Sequence, residues 1–193
     1  MTNDFPLRFR TSPAWVQCVM NDFDTFLLDH AAAEKKASGM AISMISHYPD
    51  RTELVDEMAD LAVEELVHYK EVIKVIHQRG LTLGADEKDA YVNAFRKHIR
   101  KGSEAYFLDR LLCGAIIEAR GAERFGLIAD ALEPGQLKQM YKAIASSEKR
   151  HFTLFCELAE LYFPHDVVQA RLDTLLDAEA EITASLPIQP KLH

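Results

Sequence analysis

Glu65-Leu66-Val67-His68 and Glu148-Lys149-Arg150-His151 are two copies of one four-residue pattern, a glutamate followed three residues later by a histidine. On an α-helix, positions i and i+3 share a face, so each copy aims a carboxylate and an imidazole at one place. A single copy is weak evidence, because charged helices produce it by chance. Two copies, each in the middle of a long helical stretch, are harder to dismiss. The faces around them are apolar: Leu61, Val72 and Ile76 beside the first, Ile144, Phe155 and Leu158 beside the second. A glutamate on such a face must be paired, protonated or bound to a metal, since an isolated buried charge is too costly.

Working outward, a two-metal carboxylate bundle also needs one glutamate from each of two further helices. Glu34, in Asp29-His30-Ala31-Ala32-Ala33-Glu34-Lys35-Lys36-Ala37, precedes Glu65 by 31 residues. Glu118, in Ile116-Ile117-Glu118-Ala119-Arg120, precedes Glu148 by 30. The two Glu-x-x-His copies stand 83 residues apart and the two single glutamates 84. That is the signature of a duplicated helix pair. It predicts an all-α, ferritin-like four-helix bundle with additional short and C-terminal helices, forming a single domain over residues 1–193. The expected metal ligands are Glu34, Glu65, His68, Glu118, Glu148 and His151.

Small residues surround the single glutamates: Ala31, Ala37, Ser38 and Ala41 near Glu34, and Gly114, Ala115, Gly121 and Ala122 near Glu118. They leave room either for metals and an oxidant or for close helix packing. Glu123, five residues beyond Glu118, points roughly 140° away around the helix and is expected in an ion pair or behind the ligands. Glu64 has no histidine three residues later and is set aside. His30 reads as a core or boundary histidine, with a direct role at the site as the alternative.

Punctuation supports the helices. Ser12-Pro13 starts a first helix that is expected to run to about Ser46. Asp50 and Glu53 are spaced like a capping box for the next, which Arg79-Gly80 closes. A shorter helix is expected over Glu87–Arg100. Ser103 is the expected cap of a long helix ending before Pro134, and another follows from about Gly135 to Tyr162. Asp166 is the expected cap of a final helix ending near Ser185. Helical periodicity is present throughout and strand-like alternation is missing. The first helix carries Trp15, Val19, Phe23, Phe26, Leu27 and His30 on one broad face.

A content of 48% hydrophobic and 27% charged residues is that of an ordinary soluble domain rather than a disordered chain. A net charge of −8 argues against non-specific coating of nucleic acid while leaving room for a local basic patch. Cys18, Cys113 and Cys156 are odd in number and lack Cys-x-x-Cys spacing, so free, buried thiols are expected. Met1–Arg10 lacks an apolar signal core, and no apolar run is long enough to cross a bilayer. A cytoplasmic protein with no membrane partner is the expectation.

Four carboxylates and two imidazoles are hard-to-borderline donors, suited to iron or manganese rather than to tetrahedral structural zinc. Four carboxylates offset the charge of two divalent ions. The ligand set permits oxygen activation, peroxide chemistry or iron oxidation, and does not choose among them.

The sequence also resembles a particular family. Leu27-Leu28-Asp29-His30-Ala31 with Glu34-Lys35-Lys36-Ala37, Glu64-Glu65-Leu66-Val67-His68, Asp109-Arg110-Leu111-Leu112, Ile117-Glu118-Ala119-Arg120, Glu123-Arg124-Phe125 and Ser147-Glu148-Lys149-Arg150-His151 are similar to the tRNA 2-methylthio-N6-isopentenyladenosine hydroxylases. The resemblance covers nearly the whole chain. The Glu-Ala-Arg and Glu-Arg-Phe elements set it apart from ferritins and rubrerythrins. It implies a non-haem di-iron monooxygenase using O2 as co-substrate. The substrate would be the isopentenyl group of the modified adenosine at position 37, so the partners would be a tRNA anticodon stem-loop and an external reductase or electron donor.

Arg96-Lys97-His98 and Arg100-Lys101 form a basic cluster in an acidic chain. It reads equally as a steering patch for tRNA phosphates, with Tyr91 and Phe95 stacking on bases, or as a solvated helix end. Lys138 and Lys142 extend it or sit on a solvated face. Other readings stay open: a ferroxidase or storage subunit, a rubrerythrin-like peroxidase (without its Cys-x-x-Cys pairs), a manganese catalase, or a metal-free helical interaction module.

Overall fold

The computed structural model describes residues 6–193. The Met1–Phe5 part of the N-terminal reading lies outside them. The described residues form helices α1 (Pro13–Asn21), α2 (Phe23–His47), α3 (Thr52–Gln78), α4 (Ala90–Phe95), α5 (Ser103–Ala131), α6 (Gln136–Tyr162) and α7 (His165–Ser185), with a 3₁₀ turn at Arg96–His98. No strand occurs among them. The chain divides into two compact units.

The unit of residues 18–87 and 189–192 is built on the α2–α3 hairpin. Phe26, Leu27, Ala31, Ala41 and Met44 of α2, and Leu54, Met58, Leu61, Val72 and Ile76 of α3, are buried. The Ser38 hydroxyl on α2 donates to the Ala62 carbonyl on α3 at 2.9 Å. At the end of α3, Gly80 takes φ +74°. Its N–H donates to His77 O at 3.0 Å and the Leu81 N–H to Ile76 O at 3.1 Å. These bonds satisfy carbonyls that the helix end leaves open, and glycine bears the left-handed conformation without a Cβ penalty. The C-terminal segment returns here, where Leu192 N donates to Asp29 Oδ2 at 2.8 Å.

The other unit comprises the described residues up to Gln17, Lys88–Ile188 and His193, and is built on the α5–α6 hairpin with α7 laid against α5. Helix α5 is buried on nearly every side, including Asp109, Arg120 and Arg124. Asp109 and Arg120 are held in ion pairs, and Arg124 lies against a ring. Asp109 accepts from Arg100 and Arg171, with Arg100 Nη2 and Arg171 Nε each 2.8 Å from Oδ1. Arg120 donates from Nε to Glu179 Oε1 at 2.8 Å and from Nη2 to Glu179 Oε2 at 3.0 Å. It also pairs with Glu123. The Arg124 guanidinium lies over the Trp15 ring, 4.8 Å from its centre. Lys138 Nζ donates to Leu132 O at 2.8 Å and so closes the C-terminus of α5.

Five boundaries differ from the sequence expectation. The first helix breaks at Asp22, whose carboxylate accepts from the Thr25 N–H and caps α2. The apolar periodicity runs through this break, which is why it does not register in the pattern. No Asp50–Glu53 capping box forms, because α3 begins one residue past Arg51 without a side-chain cap. Helix α4 is shorter than expected, capped by Asp89 at Val92 N and passing into the 3₁₀ turn. Gly102, at φ +99°, rather than Ser103 precedes α5. Pro164 precedes α7, so Asp166 sits in the first turn, where a carboxylate meets the positive helix end.

Candidate metal centre

In the α2–α3 hairpin, Glu34, Glu65 and His68 are all buried. One ligand atom from each lies within 4.8 Å of the others. His68 Nδ1 is 3.4 Å from Glu65 Oε2 and 3.7 Å from Glu34 Oε2. Its other ring nitrogen, Nε2, lies 4.0 Å from Glu64 Oε1. His30, one turn before Glu34, holds that carboxylate through Nε2 at 2.6 Å. Burial pushes the Glu34 carboxyl up despite the hydrogen bonds from His30 and His68. Burial works against the charged His68 ring, but Glu34 and Glu65 prevail and push its pKa up to about 10.

The α5–α6 hairpin repeats the arrangement. Glu118, Glu148 and His151 are buried, with ligand atoms within 4.8 Å of one another. His151 Nδ1 is 3.7 Å from Glu118 Oε2 and 4.0 Å from Glu148 Oε1. Gly121 gives this triad its room: a Cβ there would lie 3.3 Å from Glu148 Oε2. Gly114 serves packing instead, since its Cβ would lie 3.1 Å from the Phe155 ring.

The two triads share one design. A single glutamate comes from the first helix of the hairpin, Glu-x-x-His comes from the second, and each imidazole aims Nδ1 at both carboxylates. Each triad takes two carboxyl groups and one imidazole out of water, and charges so placed must be paired with one another or bind a metal. Oxygen and nitrogen donors at this separation fit an iron- or manganese-type ion. The buried Glu/His clusters thus fit a metal centre.

A family model described as tRNA-(MS[2]IO[6]A)-hydroxylase (MiaE) matches residues 2–193. The chain belongs to the MiaE family. It is 31% identical over 183 residues to the tRNA 2-(methylsulfanyl)-N(6)-isopentenyladenosine(37) hydroxylase of Pseudomonas putida, covering 95% of this chain and 89% of that one. It is 30% identical over 165 residues to the protein of that name from Salmonella typhimurium, covering 86% of this chain but 60% of that relative's length. A solved structure, "Protein 43 with aldehyde deformylating oxygenase activity from Synechococcus", superposes with a TM-score of 0.92 at 33% identity, covering 97% of this chain and 94% of that one. The fold is all-α and ferritin-like, as the duplicated pattern predicts.

Within this MiaE-family chain the remaining sequence expectations separate. Glu123 is in the expected ion pair with Arg120 and accepts from the Thr11 hydroxyl at 2.8 Å. His30 supports Glu34 rather than standing apart from it. Arg96, Lys97, Arg100 and Lys101 are exposed. Arg100, however, is held on Asp109, and Arg171 Nη2 donates to His98 O at 2.7 Å, so this segment is anchored. The expectation that Tyr91 and Phe95 stack on bases is overturned: they are 2% and 1% exposed. The Tyr91 hydroxyl donates to Glu179 Oε1 at 3.2 Å. Aromatic side chains on a short amphipathic helix gain more from burial than from solvent. Lys138 caps α5 and does not extend the basic patch.

The Glu64–His68 approach and the Arg120–Glu179–Tyr91 network were not foreseen. Glu64 sits one turn before His68, and that i, i+4 spacing is a usable signal. Nothing in the residues around Glu179 separates it from a solvated helical acid. No helix of the described residues is long and apolar enough to cross a membrane.

Proposed function

We propose that this chain is a non-haem di-iron monooxygenase that hydroxylates the isopentenyl group of 2-methylthio-N6-isopentenyladenosine at position 37 of tRNA. The observation that carries the reading is the duplicated buried Glu, Glu-x-x-His triad in a chain matched from end to end by the MiaE family. Glu34, Glu65, His68, Glu118, Glu148 and His151 would hold two iron ions, and residues 1–193 would work as one domain. Two reduced irons held there would supply the Lewis acidity and the two electrons that O2 activation needs. One oxygen atom would enter a C–H bond of the prenyl group and the other leave as water, so each turnover would consume two protons and two electrons, the latter restored to the centre by an external donor.

The protein's own residues set the conditions for that chemistry. His30 orients the Glu34 carboxylate, and Glu64 lies on the outer side of His68, where a carboxylate raises the basicity of a ligating imidazole. Gly121 leaves the Glu148 carboxylate unobstructed. Arg96, Lys97 and Lys101 are the proposed contacts to tRNA phosphates, with Arg100 anchoring their segment through Asp109. A tRNA substrate places the reaction in the cytoplasm.

The test supplies iron-reconstituted protein with reductant, O2 and an anticodon stem-loop carrying the prenylated adenosine. Gain of one oxygen atom by the RNA, with none without O2, is the expected result. Iron-loaded protein that consumes O2 yet never oxidises the RNA would overturn the tRNA reading. The likeness to the Synechococcus protein favours one other reading, an oxygenase that deformylates an aldehyde at the same centre. Loss of one carbon from such an aldehyde in parallel reactions would select it.

A further inference from the structure

The duplicated hairpin lets its two halves be compared position by position. The 84-residue offset between Glu34 and Glu118 carries His30 onto Gly114. The 83-residue offset between the Glu-x-x-His copies carries Glu64 onto Ser147 and Val72 onto Phe155. The triads match in residue type. The residues one turn before the single glutamate and one turn before the histidine do not.

In the first half both of those positions support the triad. His30 is 0% exposed, and its ring lies 6.0 Å from that of Phe26. Its Nε2 is 2.6 Å from Glu34 Oε1. A buried group so placed fixes one oxygen of Glu34 and leaves Oε2 on the side of His68, 3.7 Å from Nδ1. Glu64 sets a carboxylate 4.0 Å from His68 Nε2, the ring nitrogen turned away from the triad. A carboxylate there favours the tautomer with its proton on Nε2, which leaves the Nδ1 lone pair for a metal.

The second half has neither device. Position 114 is glycine, and a Cβ there would already lie 3.1 Å from the Phe155 ring. An aromatic ring thus packs against the turn before Glu118, and it cannot hold a carboxylate as His30 does. Ser147 brings no charge to the turn before His151. Its hydroxyl accepts from Arg150 Nη2 at 3.0 Å, which draws a cation rather than an anion to that turn. Ligands held in place before the metal arrives lose less freedom on binding it, and groups behind the ligands are worth about 10–100-fold in metal affinity.

We propose that His30 and Glu64 are positioning residues that make the two metal positions unequal. The α2–α3 triad takes a divalent ion first and holds it more tightly, while the α5–α6 triad fills second and exchanges its ion more readily. The inference rests on the six-ligand centre proposed above and adds an order of filling to it.

Ferrous iron alone is titrated anaerobically into each full-length chain in a calorimeter, with circular dichroism and thermal unfolding of the apo chain as checks on the fold. Glu118→Ala and Glu34→Ala each leave one triad complete. The Glu118→Ala chain is expected to bind its ion about tenfold or more tightly than the Glu34→Ala chain. In the Glu118→Ala background, His30→Leu and Glu64→Gln are each expected to weaken binding by about tenfold. His30→Gln, which keeps a side-chain N–H, is expected to restore most of that loss. In the Glu34→Ala background, Ser147→Glu gives His151 a carboxylate one turn away and is expected to tighten binding by about threefold or more. A purely structural role for these positions would not produce that gain. Equal or reversed affinities of the two single-triad chains overturn the proposal, as does binding indifferent to His30, Glu64 and Ser147. Those results leave the metal centre standing, whereas a wild-type chain that binds no iron removes the centre and this inference with it.

Discussion

Removing the Arg120 guanidinium strands a charge that the fold buries completely. Arg120 and Glu179 are both 0% exposed. Their carboxylate–guanidinium pair is bidentate at 2.8 and 3.0 Å. Glu179 also accepts from Thr183 Oγ1 at 2.8 Å and Tyr91 OH at 3.2 Å. Arg120 Nη2 reaches the Phe9 carbonyl at 2.9 Å, tying the N-terminal segment to α5 and α7. In Arg120→Met the two remaining hydroxyl donors do not neutralise Glu179, so it must either stay charged without a counter-ion or take up a proton. Breaking a buried pair from one side costs about 3–5 kcal/mol. For a chain of this size a loss of 1 kcal/mol lowers the melting temperature by about 2–4 °C, which makes the expected drop about 6–20 °C. The triple variant Arg120→Met, Glu179→Leu, Glu123→Gln removes the pair together with the charge that Arg120 also holds on Glu123, and apolar replacement of a buried pair is often close to neutral. It is therefore expected to be more stable than Arg120→Met alone. Urea unfolding of Glu123→Gln alone, with each of Arg120→Met and Glu179→Leu, and with both, closes the cycle. A cost below about 1 kcal/mol for Arg120→Met, or strictly additive effects, would refute the buried-charge reasoning.

Asp109 predicts a pH dependence. Burial opposes its charged form, but Arg171 and Arg100 hold its carboxyl below the usual range. The folded pKa is thus lower than the unfolded one, so the stabilisation is present above the unfolded value of about 3.9 and is lost as pH falls through the folded pKa. The stability gap between wild type and Asp109→Asn should therefore narrow below about pH 4, and a gap that stays constant there would contradict the assignment. Gly121→Ala should act with opposite signs on fold and site. Alanine in a helix interior is worth about 0.5–1 kcal/mol over glycine. Yet its Cβ would lie 3.3 Å from Glu148 Oε2. Apo stability should hold or rise while iron affinity falls by about tenfold, and unaltered iron affinity in a calorimetric titration would remove Glu148 from the ligand set.

The sequence carries the site more legibly than the boundaries. Glu65, His68, Glu148 and His151 stand out because helical spacing alone converges their side chains, and a carboxylate on an apolar stripe needs an explanation. Glu34 and Glu118 follow from the near-identical 31- and 30-residue offsets of one duplicated hairpin. Helix ends are decided by interactions of a few tenths of a kcal/mol to about 2 kcal/mol, and several candidates compete at each. Hence Asp22 breaks a helix whose apolar periodicity continues unbroken, and Gly102 takes the place that Ser103 was expected to fill. Tyr91 and Phe95 were misread because neighbouring basic residues suggested an exposed surface, whereas Glu179, far along the chain, supplies the Tyr91 partner. Arg120 and Glu179 are 59 residues apart. No local pattern joins them, and only the packing of α7 on α5 does.

Iron binding tests the metal centre most directly. Anaerobic titration of the purified full chain with ferrous iron, read by metal analysis after desalting, should saturate at two ions per chain, and Glu118→Ala should hold fewer. Saturation at many ions per chain, or no retained iron after reconstitution, would contradict the assignment of Glu34, Glu65, His68, Glu118, Glu148 and His151 as a two-iron centre.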